Sequence, residues 1–291
     1  MGTGRENAIL ASMDEPPRLK RAHSRGPTPT PNHDEPTAAP HDTLDHDDSG
    51  RAVRSTRLAR QRRTPGVSAP GLRRRVIQAD ALAWLDANPA EPGTSVITSL
   101  PDLSELRELG FDGWRKWFVE AARQVIRWVP HDGVAIFFQS DIRHDGAWVD
   151  KGYLVARAAD EEGARLGWHK IVCREPPGSV SHGRATYSHL VCVSRTGRTA
   201  PWRPSPDVLP SAGSMPYSKA MGVAACRLAC EHAIAEAGAR RVVDPFCGRG
   251  TVLAVANALG LESVGVDIAA RKCRAARKLE VELDPSRPGS A

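Results

Sequence analysis

The stretch Val242–Asp267, VVDPFCGRGTVLAVANALGLESVGVD, decides how this chain is read. Arg241–Val243 and Ser263–Val266 have the short, β-branched character of buried strands, and an apolar helix lies between them. Gly248 and Gly250 open that helix, so the segment is a strand, a glycine loop, a helix and a strand. A P-loop is excluded because no Gly-Lys-Ser/Thr is present. A dinucleotide fingerprint is incomplete, since its third glycine position holds Leu253. Asp244 ends the first strand directly under the loop. A carboxylate there repels a pyrophosphate but suits a cofactor bearing an ammonium and a sulfonium. Asp267 ends the next strand, 19 residues after Gly248, where an acid accepts bonds from both hydroxyls of a ribose. These features together point to S-adenosylmethionine (SAM), against the alternative of a purely structural turn.

Such loops usually open their domain, yet this one closes it. Upstream, Arg73–Asp80 (RRRVIQAD) reads as a strand ending in an acid, followed by a short helix that Pro89 stops. Thr94–Asp102 (TSVITSLPD) is a second strand running into a loop. The apolar positions from Trp114 to Val129 follow the helical period, and Pro130 ends that helix. Gly133–Asp141 (GVAIFFQSD) is apolar throughout its strand, as a central parallel strand should be. The pattern further predicts a helix from about Trp148 to Leu166, two strands around a long polar loop, a Pro-rich connector, a helix over Met221–Ala237 and a last helix from Ala269 to about Leu283. Alternating strands and helices imply a mostly parallel α/β sheet covered on both faces.

Composition divides the chain. Of its 291 residues, 1–70 contain no Phe, Trp, Tyr or Cys but hold 9 of the 23 prolines, so this tail is expected to be disordered. It carries an acidic run, His33–Asp48, and a basic run, Arg51–Arg63. The basic run reads as a solvated linker, or as an arm whose arginines grip phosphates; the bias of the segment also allows a start codon further downstream. Residues 71–291 form one domain with 29 basic and 25 acidic residues, a net charge of +4, which permits a nucleic-acid partner. With no signal peptide and no long apolar run, a cytoplasmic protein without membrane association is expected. The six cysteines lack CxxC spacing and are expected to be reduced; no metal site is expected.

The segment DPFCGRGTVLAVANALGLESVGVDI resembles the SAM-binding half of class I, Rossmann-like methyltransferases. VIQADALAWLDANPAEPGTSVITSLPD resembles the half that normally follows it, as found in DNA amino-methyltransferases acting on cytosine N4 or adenine N6. One permuted group of that family places the catalytic half first, which accounts for the late loop. The resemblance covers about Arg73 to Leu283. It implies a circularly permuted seven-stranded sheet in the order 3-2-1-4-5-7-6, with strand 7 antiparallel, and methyl transfer to a DNA or RNA base. The alternatives are methylation of a protein or small molecule, and an inactive module that binds SAM and nucleic acid.

On the cofactor, the resemblance assigns Phe246, Gly248, Gly250 and Thr251 to the SAM loop, Asp267 to the ribose and Asp80 to the adenine amino group. Within Met215–Gly222 (MPYSKAMG) it assigns Ser218 and Lys219 to the methionine end. Lys219 also reads as a surface lysine at a helix start. The family's catalytic motif, Ser/Asp/Asn-Pro-Pro-Tyr, presents a polar side chain and a proline carbonyl to the target amine and stacks an aromatic ring on a flipped-out base. Here it reads Ser99-Leu100-Pro101-Asp102. Asp102 replaces the aromatic residue and cannot stack; it serves as a general base or binding acid, or else caps the turn that follows. Gln139, Ser140 and Asp141 follow the third strand and are expected to line the target pocket. Arg174, His182, Arg184 and Tyr187 lie in the polar loop, placed to hold a phosphate or stack on a base.

Overall fold

A computed structural model describes residues 73–196 and 205–283. The chain divides into two units, Met1–Arg62 and Arg63–Ala291, and every described residue belongs to the second. The expected tail over residues 1–70, with its acidic and basic runs, lies outside the described residues.

Ten strands and six α-helices form among the described residues: β1 (Arg74–Gln78), α1 (Ala81–Ala87), β2 (Thr94–Thr98), α2 (Gly110–Trp128), β3 (Ala135–Gln139), β4 (Ile142–His144), β5 (Ala147–Val149), α3 (Lys151–Glu161), β6 (Arg165–Cys173), β7 (Tyr187–Ser194), β8 (Val208–Leu209), α4 (Val223–Ala237), β9 (Arg241–Asp244), α5 (Thr251–Ala258), β10 (Glu262–Asp267) and α6 (Ala270–Lys278). The main sheet runs β1-β10-β9-β2-β3-β7-β6-β8. The first five strands are mutually parallel, and β7 is antiparallel to both β3 and β6. Seven of these strands stand in the relative order the resemblance implied. The eighth corrects the expected count: two residues of the Pro-rich connector pair with β6 as β8. A second correction concerns Trp148, which belongs to the β4–β5 hairpin rather than to a helix; the helix starts at Lys151, where Asp150 caps it by accepting from the Tyr153 amide.

Apolar periodicity decides which helix lies on which face. α2 buries Trp114, Phe118, Ala121, Ala122, Val125 and Ile126 with Leu85 of α1 and Leu154 and Val155 of α3. On the opposite face α4 and α5 bury Ala225, Leu228, Ala229, Val252 and Val255 against Ile97, Ile136 and Leu190. The helix α6 packs through Cys273 and Ala276 onto Val76 and Leu253. All six cysteines are free. The carboxyl ends of β1, β10, β9, β2 and β3 therefore meet at one edge of the sheet, with β9, the strand of the glycine loop, at their centre.

Candidate active site

A cavity of about 720 Å³ opens at that edge. Its cofactor side hangs from β9. The backbone turns through Gly248 (φ 54°) and Gly250 (φ 88°), both in the left-handed region that glycine enters freely. A Cβ on Gly250 would come within 2.8 Å of the Ala276 backbone in α6, whereas one on Gly248 would meet nothing nearer than the Tyr217 hydroxyl at 3.8 Å. Gly250 is thus required for packing; Gly248 leaves room on the cavity side. Asp267 holds the loop from the next strand, its Oδ2 accepting from the Gly248 amide at 3.1 Å and its Oδ1 from the Ala269 amide at 2.8 Å. Lys272 Nζ stands 3.7 Å from the same carboxylate.

Asp244 is buried at the floor of the cavity. It accepts from Thr98 Oγ1 at 2.7 Å and from the Phe246 amide at 3.2 Å. Burial pushes its pKa up to about 7; the two hydrogen bonds pull it down and the nearby Asp267 charge pushes it up. Phe246 lines the cavity and meets Trp117 edge-on, with ring centroids 6.0 Å apart. Thr251 Oγ1 donates to the Tyr217 hydroxyl at 3.3 Å, and the Arg249 guanidinium lies 5.0 Å from the centre of the Tyr217 ring. Ser218 and Lys219 also line this side.

The other side is built from the end of β2. Ser99 is exposed and lines the cavity, as does Leu100. The Pro101 carbonyl accepts from Trp114 Nε1 at 3.2 Å and lies outside the lining. Asp102 has both of the arrangements weighed for it. Its carboxylate accepts from the Leu103 amide at 2.7 Å in a capping box with Glu105, at the start of a single 3-10 turn, Leu103–Glu105. It also lines the cavity and faces Lys151 Nζ at 3.8 Å.

Asp141 is buried in the cavity wall, where its two oxygens accept from the Lys151 amide, His189 Nε2, Trp148 Nε1 and the Tyr187 hydroxyl at 2.8–3.0 Å. Those donors hold its carboxyl below the usual range although burial pushes the other way. His189 in turn meets His169 at 2.8 Å. Asp141, Asp150 and His189 lie close enough to share a cation, yet Asp141 already has four donors.

Arg174 and Arg184 line the cavity from the β6–β7 loop. Besides Pro101, two expected positions differ. Gln139 is 1% exposed inside the sheet, with neither polar atom hydrogen-bonded among the described residues, and it is not part of the cavity lining. Tyr187 is the first residue of β7, not a loop residue, and is tied to Asp141. Asp80 is exposed and caps α1 through the Ala83 amide at 2.9 Å, one strand beyond Asp267.

Sequence reasoning did not find Lys151, Tyr217, Lys272 or Thr98. Tyr217 stands in the segment MPYSKAMG, beside the two residues named from it. Lys151 gives no sequence signal, because a lysine after a helix cap reads as solvated.

No family model matches the chain, and no curated protein matches it. Solved structures do match. One is a provisionally named DNA modification methylase from Thermus thermophilus, with a TM-score of 0.54 and 16% identity over 70% of this chain and 93% of that one. The same protein complexed with S-adenosyl-L-methionine gives 0.53 and 17% identity, over 70% and 92%. The PvuII DNA methyltransferase, specific for cytosine N4, gives 0.53 and 17% identity, over 74% and 89%. The fold of this chain is that of these methylases: an α/β sheet with one antiparallel strand, covered by helices on both faces.

Proposed function

We propose that this chain is a SAM-dependent methyltransferase that modifies an amino group of a nucleic-acid base. The observation that carries the reading is the buried Asp244 carboxylate beneath the Gly248–Gly250 loop, at the floor of the cavity that Ser99 enters from the neighbouring strand. The residues fit SAM. Asp244 lacks a cationic partner among the described residues, Gly248 leaves space at the loop, and Asp267 keeps acceptor capacity beside it. Ile268, 71% exposed next to Asp267, offers an apolar surface for the cofactor's ring. Bound SAM supplies an electrophilic methyl carbon and needs no metal.

The chain's own residues do the positioning, which is the main contribution an enzyme makes to such a displacement. Asp244 faces the cationic end of the cofactor. Ser99 Oγ accepts an N–H of the target amine, orienting the lone pair of a poor nucleophile. Arg143, Arg174 and Arg184 rim the cavity and neutralise phosphates flanking the target. The absence of an aromatic residue at Asp102 favours a second reading, in which the acceptor is a protein or small molecule. Incubation with labelled SAM and separate DNA, RNA and protein fractions tests both. Label in nucleic acid is expected; label confined to protein selects the second reading, and no label in any fraction leaves a binding module.

A further inference from the structure

One buried charge in the cavity wall takes no part in that chemistry. Lys151 opens α3, and its amide is fixed by Asp141 at 2.8 Å. Its side chain is 4% exposed and lines the cavity beside Asp102, at the end of β2. An ammonium has three hydrogens to donate, and burying it without acceptors is costly. Among the described residues its ion-pair partner is Asp102 alone, at 3.8 Å, outside good hydrogen-bond range. Burial holds its pKa below the ordinary lysine value, and the charges of Asp102, Asp141 and Glu105 offset this only in part. The lysine is therefore only loosely paired, and its ammonium keeps hydrogens to donate at the cavity wall.

We propose, resting on the base-methylation reading, that Lys151 reads the target ring: its ammonium donates to the ring acceptor beside the amine that is methylated. Ser99 supplies the matching acceptor for the amine. An acceptor beside a donor is the complement of the Watson–Crick edge of adenine (N6 amine, N1) and of cytosine (N4 amine, N3). Guanine, thymine and uracil carry an N–H at the corresponding ring position, which an ammonium repels. Recognition through an edge also explains how Asp102 is accommodated where stacking is lost: its carboxylate positions the lysine.

The test pairs Lys151→Met with substrates lacking the ring acceptor. Random-sequence DNA and RNA pools are made with natural bases, with 1-deazaadenine for every adenine, or with 3-deazacytosine for every cytosine; each exchange puts a C–H in place of the acceptor. One of the two replacements is expected to lower kcat/KM of the wild type on the order of 10- to 100-fold, the scale of a charged hydrogen bond. Lys151→Met is expected to show a similar loss on natural pools, no further loss on the deaza pools, and unchanged SAM affinity by calorimetry. Lys151→Leu, which also carries no donor, serves the same comparison if the methionine variant does not fold. An equal deaza penalty in wild type and variant overturns the assignment, and so does a loss of SAM affinity, which would give the lysine to the cofactor. No transfer by the wild type to any natural pool overturns the base-methylation reading itself and the assignment with it.

Discussion

The charge on Asp244 depends on what lies above it. With its folded pKa near 7 and an unfolded value near 3.8, the folded chain binds the extra proton between those limits. This group's contribution to stability therefore falls as pH rises from about 4 to 7 and stays lost above 7. A cation in the cavity reverses the preference and drives the proton off. SAM titrations at pH 6, in buffers of different ionisation enthalpy, should show close to one proton released per site, and almost none at pH 8. Asp244→Asn should abolish the release and weaken binding by about 1–3 kcal/mol, the scale of a lost charged contact. At Lys151 the counterpart is a cycle: Asp102→Asn keeps the cap but strips the lysine of its ion pair, so its melting temperature should fall, and Lys151→Met in the same chain should restore it. These two residues differ in legibility. Asp244 and Asp267 were readable because strand and loop fix an acid at a strand tip. Lys151 reaches the cavity only because β3, the β4–β5 hairpin and α3 fold back on one another, which no local pattern encodes.

The glycine loop makes the same division at the level of an element. Gly250→Ala combines left-handed backbone strain with a clash against α6 and should lower stability by about 2–4 kcal/mol. Gly248→Ala meets no backbone and should cost only about 1 kcal/mol of stability while weakening SAM binding more, because its methyl group occupies the cavity side. Thermal melts and calorimetry on the two variants separate packing from binding; equal effects on both measurements would argue against the division. The long helices and apolar strands were legible here because periodicity over many residues averages out local exceptions. The β4–β5 hairpin was missed although Asp145 (φ 47°) and Gly146 (φ 78°) form the positive-φ pair that hairpin turns favour. Its three-residue strands are too short to show alternation. The strand β8 has two residues, and only pairing with β6 defines it.

Across the molecule, the cavity rim gathers Arg143, Arg174, Arg184 and Arg249 at the edge where the strands end. Nucleic-acid binding should weaken steeply with salt, and Arg174→Ala or Arg184→Ala should each reduce the slope of log affinity against log salt by about 1. An unchanged slope in both would move the nucleic-acid contact elsewhere. The strand order also constrains how the domain can be made. Arg74 pairs with Ser263 and Arg75 with Val264, so β1 waits for a neighbour from the far end of the domain. β2 likewise lacks one side until β9 arrives. A ribosome moving from the amino end thus delivers both flanks before the pair of strands that joins them, and loop closure over such spans is slow. Nascent chains arrested before Arg241 should leave β1 open to protease and the β9-facing edge of β2 unpaired. Extending the chain past Asp267, far enough to clear the exit tunnel, should protect both at once.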